Sequence, residues 1–533
     1  MTHVTPPRAR GIARLFIRKS VEQMHREHAQ GELKRSLSAL NLISLGIGCI
    51  IGTGIFVLTG RAAANFAGPG IMISFIITGL LCAFVALCYA ELASVLPVSG
   101  SAYSYSYASM GELSAWVMGL LLVLEYGLAA STVAVGWSGY AVSLLHDIGI
   151  HLPAALTTAP GTMIGEGAAA IHGVANLPAI IAILAVTALL VVGVSESATV
   201  NNIVVLIKVT VVIAFIAIGA FFVNPDNWTP LVPAEIPPPP EGTPRGFWAD
   251  IWRAMVDVMT AQNTSRYGIG GLISGAATIF FAYIGFEAVS TAGAEAKNPA
   301  RDMPIGILGS LVICTVLYIL TSAVLVGIVP YTDLNDPAPI AKAVNQIGLP
   351  WFAVLVKIGA IAGLSSVMLV LLYGQTRIFY TMARDGLLPG PLAVVHPRFR
   401  TPWINTLIVG VLAAGAAGLM SLDALADLTN VGSLAAFSIV CVTVIYMRIA
   451  APGLVRPFRT PLFPLTPILG AAMCLFLLMS LMANPATRNF FLIYLGGGIL
   501  VYFAYGLWHS KLGKGEIVVG AEPALDLPRR LDD

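Results

Sequence analysis

Charged residues are scarce in this chain: Asp, Glu, Lys and Arg account for only 11% of its 533 residues, whereas 57% are hydrophobic. A soluble domain typically carries about 25% charged residues, so the scarcity of charge excludes an ordinary soluble fold. Most of the chain must instead be surrounded by lipid, where helices satisfy their own backbone hydrogen bonds. We therefore predict an all-α polytopic membrane protein.

Catalytic and redox motifs are also missing. The six cysteines fall in apolar segments without a Cys-x-x-Cys pair, so we expect them to be small packing residues. There is no His-Glu-x-x-His or Gly-x-Ser-x-Gly motif, and the histidines fall in loops or at the ends of apolar segments, which argues against an intramembrane enzyme. No Gly-x-x-x-x-Gly-Lys-Ser/Thr run indicates a nucleotide site. We expect no cofactor, no metal and no nucleic-acid partner.

Hydropathy predicts about twelve membrane spans. They divide the chain into an N-terminal arm (1–39), a ten-span core (40–450), spans 11 and 12 (451–510) and a C-terminal tail (511–533). A cleaved signal peptide is not expected, because a polar stretch of about forty residues precedes the first span. The predicted spans 1 to 12 are 40–64, 70–95, 113–145, 177–194, 199–223, 272–293, 303–329, 351–380, 404–420, 425–448, 463–483 and 489–509.

The distribution of Lys and Arg predicts that both termini are cytoplasmic. Of the 29 Lys and Arg residues, 21 fall in segments that this topology places inside and six in segments that it places outside. The other two, Lys208 and Lys357, lie within spans. Positive residues are enriched on the cytoplasmic side of membrane proteins, so this ratio supports the orientation. The basic arm is typical of an orientation signal or of contact with membrane lipids, and the net charge of +2 does not indicate a nucleic-acid partner.

Span 1 is interrupted at its centre. Residues 50–60 read Ile-Ile-Gly-Thr-Gly-Ile-Phe-Val-Leu-Thr-Gly. Unpaired backbone groups cost roughly several kcal/mol each in lipid, so such a break persists only where it lines a polar cavity. Span 6 contains a second glycine-interrupted segment, Phe280–Glu287. Span 6 comes five spans after span 1, and this odd offset means that the two broken helices cross the membrane in opposite directions. The pattern indicates a five-plus-five inverted repeat followed by two extra helices.

The ends of broken helices predict the chemistry of a ligand. The amides around Thr53 and Gly54 open the second half of span 1 and suit a carboxylate. The carbonyls around Ile50 and Phe281 end the first halves and suit an ammonium group. These two poles match the charged groups of an α-amino acid. The Thr53 hydroxyl is either a further donor to the ligand or bonds back to its own turn.

Five motifs follow one another along the chain: Gly46–Gly60, Ser94–Tyr105, Phe280–Glu287, Lys297–Pro304 and Gln375–Pro389. Together they resemble the amino acid/polyamine/organocation superfamily, and most closely a bacterial form of its cationic amino acid transporter branch. The resemblance covers roughly residues 30 to 510 and implies alternating access by an inverted-repeat fold with broken helices 1 and 6. Mammalian members of this branch have fourteen spans, whereas this chain is predicted to have twelve. Because of this difference, the resemblance does not imply a strict preference for arginine and lysine. The substrate contacts that it implies are Ile50, Thr53, Gly54, Phe281, Ala282 and Ile284.

Lys208 lies about eight residues, or about 12 Å, into predicted span 5. A charge there is costly unless it is paired, neutral or able to reach the membrane surface along its stem. A desolvated amine can exchange a proton near neutral pH, and the resemblance implies that proton-coupled relatives place a lysine on this span. We predict that Lys208 is the proton-coupling group, with Ser365 and Ser366 as neighbours. Lys357, near the outer end of span 8, is expected to reach the surface.

Other buried candidates lie near the two breaks. Glu125 in span 3 either meets a cationic side chain in the cavity or partners a polar group of the bundle. Glu287 is expected to cap the unwound backbone of span 6. Met368, Phe281 and Phe286 are candidates to close the pocket.

The longest predicted loop, Asn224 to Gly270, lies outside. It contains a run of four prolines at 237–240, which is typical of an extended spacer. Its segment Phe247–Met259 is expected to form a short interfacial helix.

These features predict a secondary active amino acid transporter of a bacterial cytoplasmic membrane. We expect it to work by proton-coupled symport and to be a monomer. Spans 1–10 would form the transporter core, with an amino acid and protons as partners. An ion-independent exchanger or uniporter, or an amino acid sensor without transport, remains as an alternative. The substrate side chain is left open, because a clamp on the backbone atoms accepts any α-amino acid.

Overall fold

A computed structural model describes residues 11–19, 36–97, 101–164, 171–193, 198–239, 243 and 246–515. Much of the predicted arm and the tail after residue 515 therefore lie outside the described residues. Within the described ranges the protein is almost entirely helical, and its β-strands are limited to the short antiparallel pair Met163–Ile164 and Ile171–His172. All six cysteines are buried, as expected of small packing residues.

All twelve predicted spans have helical counterparts. Span 1 consists of Ala39–Ile50 and, after a break, Gly54–Leu58, Thr59–Ala62 and Ala63–Ala67. Span 6 consists of Gly268–Ile279 and the 3₁₀ segments Phe280–Tyr283 and Glu287–Glu295. Spans 2–5 are Ile71–Val95; Glu112–Leu122, Val123–Leu128 and Ala129–Asp147; Leu177–Val192; and Ala198–Gly219. Spans 7–12 are Pro299–Ile328; Pro350–Arg384; Trp403–Leu419; Leu422–Ala450; Leu465–Leu481; and Pro485–Val501 with Tyr502–Gly506 and Leu507–His509.

Length and hydropathy confirm a multi-pass membrane protein. Eight of the described helical segments are long and apolar enough to cross a membrane, and shorter apolar helices form the first half of span 1 and spans 4, 9 and 11. Local sequence sets where several spans begin: Ser38, Asn176 and Ser421 each accept a hydrogen bond from a first-turn amide. The shorter helices outside the spans include Gly11–Phe16, Ser101–Ser109, Phe247–Met259, Pro339–Gln346 and Lys511–Lys514.

Three pairs of spans that are five positions apart pack against each other. Span 2 lies along span 7, span 3 along span 8, and span 4 along span 9. The breaks of spans 1 and 6 are also in contact with each other. This pairing is the arrangement expected of two repeats of five spans, and it places the two breaks at the centre of the bundle.

The two faces of the bundle carry different segments. The arm face carries arm residues 11–19, helix Ser101–Ser109 and helix Lys511–Lys514. The arm binds the start of span 3, where the Glu112 amide donates to Ile17 O, and the last helix binds the end of span 8, where the Lys511 amide donates to Asp385 O. The loop face carries the long connection between spans 5 and 6 and helix Pro339–Gln346, which packs over the second half of span 1. Any solute that crosses the bundle must pass both faces.

Candidate functional site

The first half of span 1 ends at Ile50, and Ile51 is extended with ψ 99°. The helix resumes with a π-helical segment at Gly54, and Thr53 directly before it has helical dihedral angles. First-turn amides of a helix have no acceptor within the helix, so the segment after the break presents N–H groups to the interior of the bundle. The predicted interruption is therefore present where the sequence placed it.

Span 6 breaks at a short turn, residues 284–286. The 3₁₀ segment ends at Tyr283, and Ile284 adopts ψ 130°. Gly285 has φ +120°, a conformation that side chains strongly disfavour, and a Cβ there would lie 2.8 Å from the backbone carbonyl carbon of Cys49. Glycine is thus required at position 285 both by its backbone conformation and by its contact with span 1.

The two breaks are in direct contact. A Cβ on Gly54 would lie 2.2 Å from Cα of Ala282, so only glycine allows this approach of span 1 to span 6. Ile50, Thr53, Gly54, Phe281, Ala282 and Ile284, the six predicted contact residues, are all buried around this contact. The structure therefore brings these residues into one region that is closed to solvent.

Thr53 is the polar side chain at the break. Its hydroxyl is buried and has no hydrogen-bond partner within the described part of the chain, and the side chain packs on span 3 at Gly136. A buried unpaired hydroxyl costs about 1–3 kcal/mol, which a ligand atom can recover. The sequence analysis left open whether this hydroxyl binds the ligand or bonds back to its own turn. Within the described residues, the hydrogen bond to its own turn is not formed.

Tyrosine hydroxyls bind carbonyl groups on both sides of the break of span 1, and one of these, Ile50 O, is a carbonyl that the sequence analysis assigned to the ligand. Tyr318 on span 7 donates to Ile50 O at 2.7 Å, and Tyr140 on span 3 donates to Phe56 O at 2.7 Å. A carbonyl oxygen has two lone pairs, so Ile50 O can still accept from an ammonium group. The sequence analysis missed both residues. Their one signal was a tyrosine deep within a span, whose hydroxyl must find a partner there.

Lys208 connects span 5 to the break of span 1. Its side chain is fully buried, and its Nζ donates to Gly48 O at 2.6 Å and to Ile51 O at 3.3 Å. Its stem packs on span 8 at Gly363, where a Cβ would lie 2.5 Å from Lys208 Cδ. Lys208 therefore does not reach the membrane surface. It spans the three elements that surround the break.

Ser365 and Ser366, the predicted neighbours of Lys208, are less buried than the lysine. Ser365 is half-buried, donates to Ile361 O at 2.8 Å and accepts from Trp137 Nε1 at 3.0 Å, so its hydroxyl is engaged within span 8 and with span 3. Ser366 is also half-buried. Lys357 differs from its prediction: it is buried and forms a 2.5 Å ion pair with Asp147 instead of extending to the surface.

Glu125 and Glu287 form a buried acidic pair beside the break of span 6. Glu287 accepts from the Gly285 amide at 2.8 Å, which confirms the predicted backbone cap. The Glu125 carboxyl lies next to that of Glu287 and next to Ser433, and Tyr126 lies beside Glu287. Ionised carboxylates only accept, and both oxygens of Glu125 lack a donor among the described residues. The polar neighbour of Glu125 within the bundle is thus itself an acid.

The cap on Gly285 gives a test of the local structure. Glu287→Gln keeps an oxygen that can accept from the Gly285 amide, whereas Glu287→Ala leaves this buried amide unpaired, at a cost of about 1–3 kcal/mol. We expect Glu287→Ala to unfold at a lower temperature than Glu287→Gln in detergent, as measured by differential scanning fluorimetry. Equal unfolding temperatures for the two variants would contradict this role of Glu287.

Aromatic side chains pack behind the break. Phe286 is fully buried and contacts the rings of Tyr89 and Phe437, with centroids 5.9 Å and 5.3 Å apart. Met368 on span 8 is 1% exposed. Phe281 is 6% exposed and lies within the 3₁₀ turn itself. All three side chains are buried, and the prediction that they close a pocket stays a prediction.

Ion pairs join distant segments on both faces of the bundle. On the loop face, Arg61 of span 1 contacts Asp423 of span 10 at 2.6 Å. On the arm face, Asp385 accepts from Lys19 at 2.9 Å and from the Tyr103 hydroxyl at 2.9 Å. Burial, and next the Asp385 charge, raise the pKa of Tyr103 well above its usual range, so its hydroxyl remains a donor. The sequence analysis did not predict either pair, because each joins residues more than 350 positions apart.

Comparison with known proteins identifies similar chains. A family model described as amino acid permease matches residues 37–505. A methylthioribose transporter of Bacillus subtilis is 45% identical over 94% of this chain and 100% of its own, and a branched-chain amino acid permease of the same organism is 44% identical over 94% and 99%. A vacuolar cationic amino acid transporter of Arabidopsis thaliana is 37% identical over 82% of this chain and 68% of its own.

Proposed function

The chain belongs to the amino acid permease family, and on this premise we propose that it carries α-amino acids across a bacterial cytoplasmic membrane by proton-coupled symport. The observation that carries the proposal is the contact between Gly54 and Ala282, which holds two broken helices together at the centre of the bundle. Their ends supply amides for a carboxylate and carbonyls for an ammonium group. Both termini are proposed to be cytoplasmic, and the protein is proposed to act as a monomer.

Counterflow in proteoliposomes tests transport directly. Vesicles preloaded with an unlabelled amino acid should take up the labelled form transiently above its external concentration. A sensor that binds without moving its ligand gives no such uptake, even when binding is measurable in detergent. If uptake requires an amino acid inside the vesicles and does not respond to a pH gradient, the protein is an ion-independent exchanger instead.

Lys208 supports the proposal of proton coupling. It donates to the carbonyls on both sides of Ile50, so a charged amine holds span 5 to the end of the first half of span 1. Loss of its proton leaves an amine that can still donate but removes the positive charge that strengthens both bonds, so the connection weakens and the two spans can separate. The protonation state of Lys208 would thereby shift the balance between the two open conformations.

The ion pairs on the two faces support alternating access. Arg61 and Asp423 join the second half of span 1 to span 10 on the loop face, and Lys19 and Asp385 join the arm to the end of span 8 on the arm face. Both pairs are intact while the site residues are buried, as in an occluded state. Transport then requires each pair to separate in turn, and never both together.

Ligand analogues test the two-pole model of recognition. Amino acid methyl esters lack the carboxylate charge, and deaminated acids lack the ammonium group, so we expect both classes to compete at least about tenfold more weakly than the parent amino acid. Competition against labelled uptake measures this. Methylthioribose belongs in the same assay, because a similar chain is named for it. If it competes and amino acids do not, the two-pole model is wrong for this protein.

The side chain of the substrate is the remaining part of the proposal. The names of the similar chains suggest a branched-chain or a cationic amino acid as candidates. The buried Glu125 and Glu287 carboxyls favour including cationic amino acids in the first screen, because an ammonium or guanidinium group would satisfy them. Ligand-induced thermal stabilisation across the twenty amino acids would rank the candidates.

A further inference from the structure

The helix Phe247–Met259 on the loop face carries an exposed surface made only of apolar side chains. Its opposite surface is packed: Ala254 and Val258 are buried, and the helix contacts spans 6 and 11. We call the exposed surface the aromatic face. Its residues and their exposed fractions are Phe247 66%, Trp248 78%, Trp252 69%, Met255 39%, Val256 40% and Met259 65%.

The geometry of the helix excludes a membrane crossing. Its 13 residues extend about 20 Å, which is less than the roughly 30 Å hydrocarbon thickness of a bilayer. Span 5 ends before it and span 6 begins after it, both on the loop face, so the helix also has to return to the side on which it starts. It can therefore lie only along the membrane surface or in water.

The chemistry of the aromatic face favours the membrane surface. Two tryptophans four residues apart lie on the same side of a helix, and tryptophan is enriched at the boundary between headgroups and acyl chains. The polar residues Asp250, Arg253 and Asp257 are half-buried beside the packed surface, which leaves the aromatic face without charge. Helices with this division of side chains lie in the plane of the lipid interface.

The helix is also joined to the two broken spans. Arg253 contacts Glu235 at 2.5 Å, and the other Glu235 oxygen accepts from Ser265 at 2.5 Å. The following residues bind the end of span 1: Arg266 Nε donates to Asn65 O, and the Tyr267 hydroxyl donates to Ala64 O. Glu235 thus connects the helix to the segment that holds the loop-face halves of spans 1 and 6 together.

We propose that the aromatic face binds the phospholipid interface of the loop-face leaflet and that Glu235 couples this lipid-bound helix to the opening of the loop face. The lipid contact stands on the helix alone, whereas the coupling rests on the proposed transport by alternating access. Opening moves the loop-face halves of spans 1 and 6, and the ion pair transmits that movement to a helix held by lipid. Lipid in that leaflet would then influence the rate of opening without touching the substrate.

Tryptophan quenching tests the lipid contact. The protein is reconstituted in phosphatidylcholine brominated either near the headgroup or near the chain end, and the double variant Trp248→Phe, Trp252→Phe is measured in parallel. The difference in emission between the unmodified protein and the double variant comes from Trp248 and Trp252. We expect this emission to be quenched strongly, and more by bromine near the headgroup than by bromine near the chain end. If neither lipid quenches that emission, the face does not bind lipid and the proposal fails, whatever the transport result.

Paired substitutions test the coupling. Arg253 has two carboxylate partners, Glu235 at 2.5 Å and Asp250 at 3.2 Å, but only Glu235 continues to Ser265. Glu235→Ala should lower the initial uptake rate several-fold with unchanged substrate affinity in detergent, whereas Asp250→Ala should transport normally. Normal uptake by Glu235→Ala, or an equal loss in both variants, overturns the coupling. Absence of uptake in the unmodified protein would instead contradict the proposed function and leave the quenching result standing.

Discussion

Replacing Gly54 by valine is expected to abolish substrate binding while the protein still inserts and folds. Even the first side-chain carbon would lie 2.2 Å from Cα and 2.8 Å from the amide nitrogen of Ala282, and backbone atoms cannot move aside as a flexible side chain can. The two breaks must then separate. Because both proposed poles of the site depend on their contact, we expect at least about a 100-fold loss of affinity, which corresponds to about 2.8 kcal/mol of binding free energy.

Gly52 provides the matched control for this prediction. A Cβ there would meet only the Val367 side chain, at 3.5 Å, which is an ordinary van der Waals distance. Gly52→Ala should therefore bind substrate nearly normally, whereas Gly54→Ala should already be severely impaired. Binding by ligand-induced thermal stabilisation, with size-exclusion chromatography to verify folding, compares the variants. Near-normal uptake by Gly54→Val would mean that the substrate binds elsewhere.

Substitution of Lys208 should separate binding from energy coupling. Lys208→Ala removes the donor to Gly48 O and Ile51 O, so the end of the first half of span 1 is no longer held to span 5. We expect this variant to retain part of its amino acid binding but to lose accumulation driven by an inside-alkaline pH gradient. Lys208→Arg should also lose accumulation, since a guanidinium keeps its proton at any physiological pH. Sodium should stimulate neither variant nor the unmodified protein.

Lys357 is the control for a buried lysine. It is 2% exposed and ion-paired with Asp147 near the loop-face end of span 3, away from the two breaks. Lys357→Ala should still accumulate substrate in response to the pH gradient, even if its stability falls. Accumulation against a gradient by Lys208→Ala, or sodium-dependent uptake that ignores pH in the unmodified protein, would rule out Lys208 as the coupling group.

The spans and the two breaks could be predicted because each has a local signal. A membrane helix is encoded by about twenty consecutive apolar residues, and the break at Gly52–Gly54 by glycines inside such a run. The cap of Glu287 on Gly285 follows from an acid placed two residues after a glycine. These features depend on neighbours in the chain, and the structure places them where the sequence indicated.

The partners across the bundle could not be predicted, because they depend on how distant spans rotate and pack. Glu125 lies beside Glu287, 162 positions away, and Lys357 pairs with Asp147, 210 positions away. Hydropathy determines that a residue lies within a span but does not determine which side of the helix faces which neighbour. The π-helical segment Val123–Leu128 further rotates Glu125 relative to an α-helical pattern.

The contact between Gly54 and Ala282 also has an evolutionary consequence. The clamp that it forms consists of backbone groups, and every amino acid supplies the same backbone, so most substitutions around it alter the pocket walls without altering the clamp. Glycine 54 and glycine 285 are the exceptions, since no side chain fits at either place. If the proposed site is correct, a substitution in the walls would change which substrate side chain is accepted, while the backbone clamp would stay the same. Chains named for branched-chain and for cationic amino acids, 44% and 37% identical to this one, fit such a division.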